Sequence, residues 1–162
     1  MAITRLGGAN AITGTIPTSV APGKGKILQV VQGETTSLVS HTSSYADTGL
    51  SASITPSSTS NKILVQVSQH FRIERYGGAI RILRDSTSIF EAGNNQNYQL
   101  YSDPSATVNY RDYACLNYLD NPSSTSAITY KTQGSRHNSG GVFITQDDNI
   151  YKSTITLMEI VA

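Results

Sequence analysis

The sequence predicts an all-β fold, an antiparallel jelly-roll sandwich preceded by an extended N-terminal arm. Three observations carry that prediction. Apolar and polar residues alternate with a period of two over most of the chain beyond residue 25. Ser and Thr supply roughly a quarter of the residues, with nine Tyr and no Trp, which suits strands and turns better than helices. Turn residues recur at short, regular intervals, and no stretch carries a convincing helical period.

Residues 1–25 stand apart. Glycines at 7, 8, 14, 23 and 25 and prolines at 17 and 22 interrupt every possible helix or strand. Ile3, Leu6, Ile12, Ile16 and Val20 nevertheless recur through the segment. A purely polar linker has no use for spaced isoleucines. The expectation is an arm that packs onto another surface through these five residues. Residues 26–162 then form the sandwich domain.

The strands follow in order. Lys26–Gln32 is short and apolar, Leu38–Ser44 weaker and more polar, and Leu50–Thr55 ends at Pro56. Lys62–Glu74 is the clearest. Ile63, Val65, Val67, Phe71 and Ile73 line one face, and Leu64, Gln66, Ser68, His70, Arg72 and Glu74 the other. Gly77-Gly78 predicts a tight turn into Ala79–Arg84, so that Arg72, Glu74, Arg75, Arg81 and Arg84 gather on one hairpin. Asp85–Ser88 turns the chain before Ile89-Phe90-Glu91. The polar stretch 92–109 is the longest predicted loop. Strands resume at Arg111–Leu119, Ala127–Thr132, Gly141–Thr145 and Ser153–Val161. The last has two apolar-leaning faces, which predicts a central strand covered on both sides. The pentapeptide Pro56-Ser57-Ser58-Thr59-Ser60 recurs as Pro122-Ser123-Ser124-Thr125-Ser126, and each copy predicts a hairpin turn. About eight to ten short strands in such a length fit a jelly roll.

Composition excludes several functions. With 12 basic and 11 acidic residues, the net charge of +1 argues against a nucleic-acid partner. No apolar run reaches the roughly 18 residues that cross a bilayer, and the opening residues resemble no signal peptide, so no membrane role and synthesis in a cytoplasm are expected. His41, His70 and His137 lie apart, without paired ligand spacing, so no metal site and no cofactor are predicted. The nearest approach to a polar patch is Arg136-His137-Asn138 with Asp147 and Asp148. Cys115 has no base beside it and reads as a small buried hydrophobe. No nucleophile elbow, phosphate loop or facing carboxylate pair is present, so catalytic residues are expected to be none. Tyrosines crowd the middle of the chain. Tyr113 and Tyr118 read as sheet filling, while Tyr98 and Tyr101, in the polar loop, read as receptor or interface residues.

Three segments carry a resemblance. Met1-Ala2-Ile3-Thr4-Arg5-Leu6-Gly7-Gly8 through Pro17, with Gly25-Lys26-Ile27-Leu28-Gln29-Val30-Val31, is similar to the N-termini of small virion proteins of marine tailed bacteriophages. Tyr45–Pro56 running into Asn61-Lys62-Ile63-Leu64-Val65, and the ending Thr154–Ala162, resemble the same proteins. The polar loop matches nothing in them. The resemblance implies a tumour-necrosis-factor-like jelly roll, commonly trimeric, on an N-terminal anchor. The expected function is therefore a homotrimeric tail-fibre or host-attachment protein located in the virion. Its expected partners are copies of itself, a tail adaptor or nozzle or the major capsid protein, and a host surface glycan. A capsid decoration or cement protein on the phage head is the first alternative. A carbohydrate-binding module or depolymerase is the second.

Overall fold

The computed structural model describes residues 25–91, 100–102, 105 and 109–162. The predicted arm, with Ile3, Leu6, Ile12, Ile16 and Val20, lies outside the described residues, as does Tyr98. Among the described residues, eleven strands run in chain order: β1 Ile27–Thr35, β2 Val39–Ser40, β3 Ala46–Ile54, β4 Lys62–Glu74, β5 Tyr76–Arg84, β6 Thr87–Glu91, β7 Leu100–Ser102, β8 Tyr110–Asp120, β9 Ile128–Arg136, β10 Val142–Thr145 and β11 Ser153–Ile160. One 3-10 turn, Asp147–Asn149, separates the last two.

Every pairing is antiparallel, and the strands form two sheets. One runs β1-β11-β4, with β8 on the far side of β4 and β10-β2 continuing beside the second half of β4. The other runs β3-β9-β5-β6, with β7 against the start of β5. Consecutive long strands often sit in opposite sheets, which is the jelly-roll arrangement. β4 organises the first sheet because its 13 residues pair with β8 along almost their whole length. The alternating face read from the sequence is the one that packs inward: Ile63, Val65, Val67, Phe71 and Ile73 are buried against Ile80, Ile82, Tyr130, Phe143, Ile155 and Leu157.

Three turns behave differently from expectation. Gly77-Gly78 makes no hairpin. Arg75 (φ 59°) and Tyr76 (φ 56°) turn the chain sharply, and it passes from one sheet to the other with no intervening loop. The two glycines lie inside β5, where Gly78 lets the backbone pack on Phe143: a Cβ there would stand 2.5 Å from the ring. Arg72 and Glu74 therefore belong to one sheet, and Arg81 and Arg84 to the other. The two Pro-Ser-Ser-Thr-Ser copies are arches between sheets rather than hairpins. The first carries β3 into β4 and the second carries β8 into β9. Because β3 pairs with β9 and β4 with β8, the arches lie at the same end of the sandwich. They also fold alike: Ser60 N–H donates to Ser58 Oγ at 3.3 Å, and Ser126 N–H donates to Ser124 Oγ at 3.0 Å. The predicted long loop contains β7, paired with Tyr76–Gly78. β11 is central as expected, between β1 and β4, but only its Ser153, Ile155, Leu157 and Glu159 face is buried.

Polar groups inside the sandwich tie its parts together. Thr48 of β3 and Thr132 of β9 share a hydroxyl bond of 2.6 Å, Thr132 donates to Gln69 Oε1 of β4, and Gln69 Nε2 donates to Ser153 Oγ. At the arch end, Glu159 is 1% exposed. It accepts from Gln29 Nε2 at 2.7 Å, Ser57 N–H and Oγ at 2.7 Å, and Asn61 Nδ2 at 2.6 Å. Burial pushes its carboxyl pKa up, but these donors outweigh it and hold the value at about 2. A carboxyl depressed in the fold adds stability above its ordinary 4.5, and that stability drains away as pH falls towards 2. Glu159→Gln is expected to cost about 2 kcal/mol at neutral pH and to flatten the loss of stability below pH 4.5, as read by urea unfolding across pH.

Candidate interaction face

The outward face of the β4 sheet follows directly from strand parity. Cross-strand partners share a face, so the register sorts its side chains into rows. Val30 pairs with Met158, Met158 with Leu64 and Leu64 with Leu119. This is an unbroken apolar row across β1, β11, β4 and β8. Val30 is 57% exposed and Leu119 48%, while Met158 and Leu64 are half-buried. Ile27, Leu28 and Ile160 extend the apolar end. No strand is layered over this face among the described residues.

The next row is Gln32, Thr156, Gln66 and Asn117, with Gln32 Nε2 donating to Thr156 Oγ1 and Gln66 Nε2 to Asn117 Oδ1. Glu34, Thr154, Ser68 and Cys115 follow. Cys115 is exposed, contrary to the buried reading. Parity turns Ala114 and Leu116 inward and puts Cys115 outside with Tyr113 and Leu119. Beyond it His70 pairs with Tyr113, and Arg72 with Arg111. The face thus runs from apolar through amide and hydroxyl to aromatic and charged.

The charged end is held by Asp147, which is 2% exposed. Arg111 Nε donates to its Oδ2 at 2.7 Å, and Arg72 Nε stands 3.6 Å away. Arg111 Nη2 also reaches Asp148 at 3.9 Å, and Arg72 Nη2 lies 3.5 Å from Glu74. The sequence placed Asp147 and Asp148 near Arg136; the fold instead brings Asp147 to two arginines from β4 and β8. His70, on the face read as polar, is only 1% exposed because Tyr151 stacks on it at 4.1 Å and Tyr113 meets it edge-on at 5.2 Å. Tyr113 and Tyr118 both lie in β8 as expected, Tyr113 42% exposed on the outward face and Tyr118 packed against Phe90 and the core. Tyr101 lies in β7 with its backbone paired to Gly77; its side chain lies outside the described residues.

Among the described residues, no group of three or more His, Cys, Asp or Glu could hold a metal ion. His41 bonds Thr145 Oγ1 through Nε2 at 3.0 Å, and burial drives its pKa down to about 4, a backbone interaction with Gly134 offsetting part of the fall. The apolar row was missed by sequence reasoning. Its signal was present in the two apolar-leaning faces of Ser153–Val161, one of which the chain's own described strands leave uncovered. The chain matches no protein-family model and no curated protein.

Proposed function

We propose that this protein is a non-enzymatic building block of a tailed-phage virion, a homotrimeric tail-fibre or host-attachment protein docked to the particle through residues 1–25. The apolar row Val30–Met158–Leu64–Leu119 carries the oligomeric part of this reading. Monomers seldom leave such a row on a sheet face open to water. The gradation of the face favours a cyclic assembly of parallel copies. With strands along a common axis, each row meets its own kind, apolar with apolar and amide with amide. An antiparallel pair would set the leucines against the arginines, about 26 Å along the strand. The virion part of the reading rests on the resemblance of the sequence. The described ionisable groups support a scaffold: Asp120, Asp147 and Glu159 are each spent on holding strands together. The chain enters the sandwich at Gly25, whose N–H donates to Val161 O, beside the apolar end of the face.

Leu119→Lys tests the oligomer. Half-exposed in the single chain, this position is expected to change monomer stability by no more than about 0.5 kcal/mol. Sedimentation should give a trimer for the native chain and a folded monomer for the variant. A native chain that stays monomeric at micromolar concentration overturns the reading. Deleting residues 2–25 should leave a folded trimer that no longer joins particles, and normal incorporation would sink the docking role. Copy number per particle then separates tail from head, with hundreds of copies marking a capsid decoration protein.

A further inference from the structure

The turn between β10 and β11 is built against the preference of its residues. Gln146 (φ 52°), Asp148 (φ 57°) and Asn149 (φ 55°) are all left-handed, and none is glycine. L-residues resist that conformation, so contacts must hold it. On one side Asn149 Oδ1 accepts from Leu38 N–H at 2.8 Å, and Asn149 N–H donates to Gln146 O at 3.3 Å. In the middle, the Asp147 carboxylate is gripped by Arg111 and Arg72. Against β4, Gln146 N–H donates to His70 O, and Asp147 N–H donates to His70 Nδ1, each at 3.4 Å.

The last bond exists only while His70 is neutral. An amide N–H can donate to Nδ1 only when Nδ1 carries no proton, which places the ring proton on Nε2. Nε2 is buried and has no hydrogen-bond partner. Adding a proton sets N–H against N–H at Asp147 and leaves a charged ring between Tyr113 and Tyr151. From this geometry we infer that residues 146–149 form an acid-released turn latched by the neutral imidazole of His70.

The charges around His70 come from every neighbouring element. β4 itself supplies Arg72 and Glu74, β8 supplies Arg111, Asp112 and Tyr113, the turn supplies Asp147 and Asp148, and Tyr151 covers the ring. Burial lowers the His70 pKa first, and Arg111 adds to the fall. Asp147, Asp112 and Asp148 oppose it without cancelling it. The sign follows. A group depressed below its ordinary 6.5 gives its full stability above that pH, and the turn weakens as pH falls through the folded value. Release frees the Asp147 carboxylate from Arg72 and Arg111, so two adjacent guanidinium groups on one row lose their shared counter-charge. The strand before the turn stays, because His41, which grips β10 at Phe143 O and Thr145 Oγ1, does not titrate until about pH 4.

The test uses the full-length protein between pH 7.5 and 5, reading amide hydrogen-exchange protection at Asp147–Asn149 beside the His70 ring shifts by NMR. Protection of the turn is expected to fall by up to about tenfold per pH unit below 6.5, levelling where the ring finishes titrating, while Val65 and Leu157 hold theirs. His70→Gln supplies an acceptor that does not titrate, and its turn should stay protected throughout. Turn protection that does not move while the native His70 titrates overturns the inference. So does the same pH-dependent loss in His70→Gln. The native titration decides alone if that variant fails to fold. None of these readings requires the chain to be a trimer or part of a virion.

Discussion

Replacing Asp120 with alanine is expected to lower the stability of the fold by about 3 kcal/mol and its melting temperature by roughly 10 °C. Asp120 ends β8 and is 5% exposed. Both of its oxygens accept from Arg84 Nη1 at 2.9 Å, and Tyr130 Oη donates to Oδ2 at 2.7 Å. Three strands from both sheets meet at this carboxylate. Tyr130 is fully buried, and burial together with the neighbouring carboxylate pushes its hydroxyl pKa far above the usual tyrosine range. Truncation leaves that hydroxyl and the Arg84 guanidinium facing an empty, poorly solvated site. Losing a partner from a buried pair costs more than the pair was worth, because the remaining charge stays desolvated. Arg84 keeps some contact with water, which sets the figure at the lower end of the usual range. Asp120→Asn retains an acceptor for Tyr130 and should fall between the two. Urea unfolding measures both, and a loss below about 1 kcal/mol for the alanine variant would show the site to be well solvated.

Gly33→Ala is the second large effect, again about 3 kcal/mol. At this position β1 and β3 approach so closely that an added Cβ would overlap the Ser51 carbonyl oxygen, with Ala52 Cβ 3.2 Å away. The obstacle is backbone, which no rotamer change can relieve. β1 would have to move away from β3 and open the edge where the two sheets meet. Exchange protection of β1 amides should drop more than that of β4, and equal losses in both would point to a global rather than an edge effect.

Much of this architecture was legible from parity alone. The alternation in Lys62–Glu74 marks a strand and its buried face, since a period of two leaves few other readings. The pentapeptide repeat was visible too, but its role was not. A Pro-Ser-Ser-Thr-Ser segment forms the same serine turn whether it joins neighbours in one sheet or strands in opposite sheets, and only long-range pairing decides. Gly77-Gly78 misled for a related reason: a glycine pair signals either a turn or a close approach, and here Phe143 lies against the second. Cys115 was misplaced because polar and apolar residues are mixed on both faces of β8. Strand parity puts His70 on the face opposite the core, as in the structure; Tyr151, 81 residues later, then covers it. The interaction face needed four strands distant in sequence to align their outward residues in one row. No local window contains that information.

The pairing of β1 with β11 has a consequence for synthesis. Among the described residues, Ile27–Thr35 finds its sheet neighbour only in Ser153–Ile160, far later in the chain. Translation at about 5–20 residues per second leaves β1 without that neighbour for roughly 6–25 s. During this time its isoleucine and valines form an exposed strand edge on a growing polypeptide. The first sheet closes only once Ser153–Ile160 emerge, so its closure waits on all the synthesis between β1 and β11. A ribosome-bound chain stalled before residue 153 would present that edge to any neighbouring nascent copy, making polysomes the place where mispairing is most to be guarded against.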